Sequence, residues 1–200
     1  GLILNTLRNA RIQELEEKII ELNQQNQQLK KLLKYTETIQ EPVVTAVVIG
    51  RNSEYWWQEI IINRGSKDGI KPGYIVSSIG GLVGRVIHVT PHTSQVLLIS
   101  NQNQKIGAAI SRSRSLGLIK GENSQVAVME FFDKVPDVKK GDVVSTSSVS
   151  RLFPPGMPIG IIESVTEGKR AAPQAKVRIT APLNLIEWVV VHPFTEFEKK

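Results

Sequence analysis

The chain changes character at Pro42, and that break limits the possible folds more than any single motif does. The first 41 of its 200 residues contain no proline and no glycine beyond Gly1, while the remainder holds all 10 prolines and every other one of the 15 glycines. A stretch free of helix breakers and rich in Leu, Gln, Glu, Asn and Lys reads as one long helix. A stretch dense in Val, Ile and Ser, punctuated by Gly and Pro, reads as short strands and tight turns. Helix and strands are therefore expected in separate segments.

Within the first segment, Ile12, Leu15, Ile19, Leu22, Asn26, Leu29 and Leu33 recur in alternating steps of three and four. This is the a/d seam of a coiled coil, and a lone amphipathic helix cannot bury such a stripe. The seam predicts a homodimer through residues 1–41, with a rod of roughly 60 Å at 1.5 Å per residue. Asn26 falls at an a position. A buried amide there fixes register and a two-stranded state, or else marks a weak spot among Asn23, Gln24, Gln25, Gln27 and Gln28. Only Arg8 and Arg11 precede the heptads, too few for a DNA-binding basic region. Glu41–Pro42 is where the helix should stop, because the residue before proline is pushed to an extended conformation.

Beyond Pro42, apolar runs begin with residues 43–49, 59–62, 74–77, 82–90, 95–99 and 106–110. Residues 116–120, 125–132, 142–146, 159–165, 175–180 and 186–191 complete the set. That makes about twelve short strands at the spacing of sandwiches and barrels. Gly65-Ser66-Lys67-Asp68-Gly69, Lys71-Pro72-Gly73, Gly80-Gly81 and Phe153-Pro154-Pro155-Gly156 supply turn chemistry between them. No helical pattern separates the runs, so a parallel sheet is not expected. Closed or nearly closed barrels hide edges economically in such a chain.

Zero cysteine excludes disulfides, thiolate metal sites and cysteine nucleophiles, and no apolar run reaches the roughly 20 residues of a membrane span. Ser, His and Asp are present, but no G-x-S-x-G elbow occurs, and a catalytic serine needs a base and oxyanion donors in reach. His88, His92 and His192 read as structural residues, and no carboxylate lies between Asp68 and Glu122 to join His88 and His92 around a metal. The sequence therefore predicts no catalytic residues, no metal and no cofactor. Gly80-Gly81-Leu82-Val83-Gly84 precedes no helix and reads as a turn with a bulge or a close backbone approach. Residues 69–121 carry Lys71, Arg85, Lys105, Arg112, Arg114 and Lys120 without a single acid. That run is either a solvated face or a surface for anionic partners. No aromatic residues interleave with these charges as base-stacking would require, so nucleic acid is not an expected partner. Trp56 and Trp57 are either a docking patch or the core and rim of the first barrel; with Phe153 they are the candidate partner surface.

Six stretches in order carry a resemblance. They are Val47-Val48-Ile49-Gly50-Arg51 with Trp56-Trp57, Ile62 through Gly73, and Gly81-Leu82-Val83-Gly84-Arg85-Val86. Thr93 through Leu98, Gly141-Asp142-Val143-Val144 with Thr146-Ser147, and Phe153 through Gly160 follow. Behind a heptad helix, this set resembles the bacterial rod shape-determining protein family MreC. The resemblance implies a coiled coil and two small antiparallel six-stranded β-barrels, like those of chymotrypsin-type proteases without the catalytic machinery. It also implies a cytoplasmic start and a single membrane span upstream of Gly1, with this portion on the extracytoplasmic, periplasmic side. The implied role is a non-enzymatic scaffold of the cell-elongation complex that organises and activates side-wall peptidoglycan synthesis. The implied partners are MreD, penicillin-binding proteins, RodA and the MreB system. One departure stands out: the family usually follows Thr-Ser with Gly, whereas Ser148 follows Thr146-Ser147 here, so either the turn differs or Ser148 is strained.

The expected domains are residues 1–41, 42–113 and 114–200, with the last strand free to return to the first barrel. Turn loops and strand edges are the surfaces such barrels would offer. A second architecture that joins coiled coil to barrels, the periplasmic adaptor of an envelope transport system, needs a helical hairpin flanked on both sides by β segments. The order of segments here does not match it.

Overall fold

The computed structural model describes residues 1–39, 42–166 and 172–195. The chain separates into two compact units, residues 1–40 and 41–200. In the first, helix α1 (Leu2–Glu37) runs for 36 residues, as a segment without interior glycine or proline permits. It stops at Thr38, whose N–H bonds back to the Thr36 and Tyr35 carbonyls. The Thr36 and Thr38 hydroxyls donate to the carbonyls of Leu33 and Tyr35 at 2.8 and 2.6 Å, satisfying acceptors that a helix end leaves open. Lys34 in the last turn complements the negative end of the helix dipole. Gln40 and Glu41, where the sequence places the helix end, lie outside the described residues.

Among the described residues, the second unit is built from twelve antiparallel strands. They begin with β1 (Val44–Gly50), β2 (Glu59–Ile62), β3 (Ile75–Ser78), β4 (Gly81–Val89), β5 (Ser94–Leu98) and β6 (Lys105–Ile110). β7 (Leu116–Lys120), β8 (Val126–Phe131), β9 (Val143–Thr146), β10 (Pro158–Thr166), β11 (Gln174–Ile179) and β12 (Trp188–His192) follow. One closed barrel has the order β1-β12-β3-β4-β5-β2 and the other β10-β11-β8-β7-β6-β9. In β5 and β11, every second residue points into the core, the period a pleated strand imposes. Bulges at Val48/Gly50, Val86/His88 and Ile162/Ser164 bend the ladders where the sheets curl. Apolar side chains of both barrels form one contiguous cluster, including Ile60, Leu82 and Val96 in the first and Ile119, Met129 and Val177 in the second.

The barrel boundary and the strand edges depart from the sequence expectations, which leave open the path of the last strand and the conformation of Ser148. The boundary at 113/114 falls too late, because β6 pairs with β7 and β9 and so belongs to the second barrel. The polar run Ser111-Arg112-Ser113-Arg114-Ser115 resembles a linker but is the β6–β7 hairpin, with Arg114 in the left-handed region at φ 65°. The true connection spans residues 99–104; Ile99, Ser100, Asn101 and Gln104 are buried while Gln102 and Asn103 are exposed, and Ser100 donates to the Trp57 carbonyl at 2.5 Å. β12 returns to the first barrel and closes it between β1 and β3. Closure also removes the free strand edges expected as contact surfaces. Ser148 is not strained, since Arg114 and Asn123 are the only non-glycine residues at positive φ among those described.

Gly80 and Gly81 join the barrels. They adopt φ of 104° and 140°, and a Cβ at either would lie 2.4 Å from the Thr180 or the Pro158 carbonyl oxygen. The Thr180 hydroxyl donates to the Gly80 carbonyl at 2.5 Å, tying the β3–β4 turn to the segment after β11. The glycine pair is thus a close backbone approach between barrels, which only residues without a Cβ permit.

Candidate interaction surfaces

Histidine chemistry comes first. His192 Nε2 lies 2.5 Å from Ser77 Oγ, but Ser77 is wholly buried on β3, where no substrate in solution reaches its hydroxyl. Simple alternation would place His88 inward with Val86. The bulge between them turns His88 to solvent instead. His92 is exposed in its turn. No group of three or more His, Asp or Glu side chains suited to a metal occurs among the described residues.

The helix seam is a different matter. Ile12, Leu15, Ile19, Leu22, Leu29 and Leu33 are 37–60% exposed, and Asn26 is exposed with them. An apolar stripe of this extent left in water marks a contact surface. Continuing the heptad phase toward the N-terminus reaches Asn5 and Arg8, so the in-phase seam starts at Ile12. Leu2, Ile3, Leu4 and Leu7, also strongly exposed, lie off that phase. No helix among the described residues is long and apolar enough to cross a membrane.

On the first barrel, β1 ends in Ile49-Gly50 and leads through Arg51 into a one-turn 3₁₀ segment, Ser53–Tyr55, that Asn52 caps by accepting the Glu54 N–H at 2.8 Å. This turn carries Trp56 back against Arg51. The guanidinium carbon sits 4.0 Å from the ring centroid, and Arg51 Nε donates to the Trp56 carbonyl at 2.8 Å. One terminal guanidinium nitrogen is buried without a hydrogen-bond partner among the described residues, and burial pushes the Arg51 pKa down to about 10. Trp56, 37% exposed, walls a cavity of about 400 Å³ with Ile49, Leu185 and Glu187. Trp57 packs against the core.

Phe153 is not a surface residue. It is 1% exposed, and its burial follows from the local turn. Thr146 Oγ1 donates to the Pro154 carbonyl at 2.6 Å and accepts the Met157 N–H at 2.9 Å, which fastens the Pro-Pro-Gly turn over the barrel and places the ring inside. Ile49 and Leu185 take its place at the surface. Strand alternation at β1 was the available signal for Ile49, whereas nothing local distinguished Leu185.

The basic run is only partly uncompensated. Arg112 forks onto Asp137 at 2.8 and 3.1 Å and onto Asp142 at 3.0 Å. These bonds hold both carboxyl groups below the usual aspartate range and the guanidinium above its own. Lys105 and Lys120 face each other across β6 and β7. Lys71 and Arg85 share a cleft.

A heptad helix with an exposed apolar seam, followed by tandem closed six-stranded antiparallel barrels, defines a class of helix-led double-barrel proteins. Residues 48–193 match the family model described as rod shape-determining protein MreC, barrel core, and the chain belongs to that family. It is 32% identical over 167 residues to the cell shape-determining protein MreC of Listeria monocytogenes, an alignment covering 80% of this chain and 57% of that protein. The chain thus spans less than two thirds of the length of such relatives. A solved MreC structure superposes with a TM-score of 0.81 at 25% identity, covering 86% of this chain and 98% of the other. A further solved structure, a complex between a penicillin-binding protein and MreC from Helicobacter pylori, shares the fold at a TM-score of 0.57 and 15% identity, covering 76% and 98%. None of these relatives is named a transport adaptor, and α1 precedes the twelve described strands without forming a hairpin.

Proposed function

We propose that the chain is a non-enzymatic scaffold of the cell-elongation machinery. It pairs through α1 and presents its barrels, on the extracytoplasmic side, to proteins that build the side wall. The observation that carries the reading is the exposed heptad stripe of α1, which a second copy would bury, in a chain whose family determines rod shape. Each seam Leu or Ile contributes on the order of 1.5–3 kcal/mol on burial, less the entropy of association. A penicillin-binding protein as partner is supported by the complex of the Helicobacter pylori relative. MreD, RodA and the MreB system follow from the family resemblance, as does anchoring by a span upstream of Gly1. Wholly buried Ser77 and the pinned Phe153 turn suit a rigid contact body better than a catalytic cleft.

The test is genetic. Depleting the protein in its own host should turn rods into spheres and scatter new wall material away from the side wall. Full-length protein should restore rods, while full-length protein with the Leu22→Asp and Leu29→Asp changes should not. Rods that persist after depletion, with side-wall incorporation unchanged, would contradict the proposal.

A further inference from the structure

Two cations of the acid-free run, Lys71 and Arg85, line a cleft of about 580 Å³ that ends at Thr195, and among the described residues no acidic side chain lines it with them. Its floor is rigid. The Gly73 N–H donates to the Val86 carbonyl at 2.7 Å and the Val86 N–H to the Tyr74 carbonyl at 2.8 Å, fastening the Lys71-Pro72-Gly73 turn onto β4. Arg85 lies within β4, opposite Ile75 of β3 and Leu97 of β5. Leu152, from the loop between β9 and β10, and Phe194, just after β12, complete the walls and are anchored on the core. Both barrels therefore shape the cleft.

Arg85 is half-buried, and its Nε is shielded from solvent with no hydrogen-bond partner among the described residues. Among the described residues neither Lys71 nor Arg85 makes an ion pair. A shielded, unanswered guanidinium donor is costly, and an oxyanion supplies what it lacks. The planar fork of Arg beside the point charge of Lys suits a carboxylate, and Leu152, Phe194 and Pro72 offer apolar contact to side chains next to it. The volume is that of a cleft which seats a few residues, not a whole folded surface.

We propose that this cleft receives a peptide segment of a partner protein in which a carboxylate is flanked by bulky apolar side chains. The inference rests on the reading of the chain as an interaction protein and deepens it by naming a docking chemistry. It does not depend on helix pairing.

The experiment is a two-dimensional amide NMR titration of the isotopically labelled chain with acetyl-Leu-Glu-Phe-amide, acetyl-Leu-Gln-Phe-amide and inorganic phosphate. The acidic peptide should shift the Tyr74, Arg85, Leu152 and Phe194 amides saturably, bind at least about tenfold more tightly than its amide counterpart, and weaken as salt is added. Arg85→Gln should remove most of that preference. So should Lys71→Gln, a change at an exposed turn residue that keeps the test open if the Arg85 variant folds poorly. Equal responses to the two peptides, a response that phosphate reproduces, or a preference surviving both substitutions would overturn the proposal. Any of these results would leave the cell-shape phenotype and the helix-pairing measurement unaffected, so the two readings fail separately.

Discussion

Arg112 holds two carboxylates at once, joining the β6–β7 hairpin to the loop that carries Asp137 and Asp142. Both aspartates titrate below their ordinary value of 3.8 in the folded chain, chiefly because Arg112 donates to them. A depressed carboxylate stabilises the fold above its unfolded pKa and loses that contribution as pH falls through the folded pKa. Acid should therefore loosen this clamp below about pH 4, and Arg112→Gln should flatten that part of the melting temperature's pH dependence. Identical acid profiles for the two proteins would contradict the assignment. Phe153→Ala should destabilise the second barrel by about 3–5 kcal/mol in chemical denaturation, as expected for a buried aromatic. A cost near zero would return Phe153 to the surface. Gly81→Ala, at φ 140° and against the Pro158 carbonyl, should cost on the order of 1–3 kcal/mol; an unchanged urea midpoint would remove the strain argument. The glycine pair was legible in the sequence as a close approach, because so few structures need two adjacent residues without a Cβ. Phe153 was not, because its burial depends on Thr146, seven residues away, fastening the turn.

At the scale of elements, strands were the most legible feature. Turn residues bracket each apolar run, and the period-2 pattern in stretches such as 174–179 needs no knowledge of neighbours. Pairing is a different kind of information. β12 lies between β1 and β3, and no local signal specifies partners more than a hundred residues apart. The same limit misplaced the barrel boundary, since a Ser/Arg run looks alike in a hairpin and in a linker. Along α1, Asn26 separates two apolar halves of the seam. Asn26→Leu should raise the thermal midpoint of the helix and admit assemblies larger than two, as loss of a register-fixing amide does. Circular dichroism and light scattering check this together. An unchanged midpoint with an unchanged mass would make Asn26 a bystander.

The whole chain joins two physically different units. One is a helix with an apolar face that nothing in its own unit covers. The other is a pair of closed barrels in which, among the described residues, every strand is paired on both sides. The proposed contacts on the β unit accordingly use side chains, in the Trp56 groove and the Lys71–Arg85 cleft, and the proposed self-association uses the helix. In the function proposed above, that division has a purpose: one surface would serve pairing and others partners in wall building, in a chain of the rod shape-determining family. Sedimentation equilibrium measures the pairing directly. The chain, 22.2 kDa alone, should sediment at twice that mass, and Leu22→Asp with Leu29→Asp should return it to a single chain while the barrels stay folded. A wild-type chain that sediments as one copy at micromolar concentration, or a double variant still at twice the mass, would contradict the account.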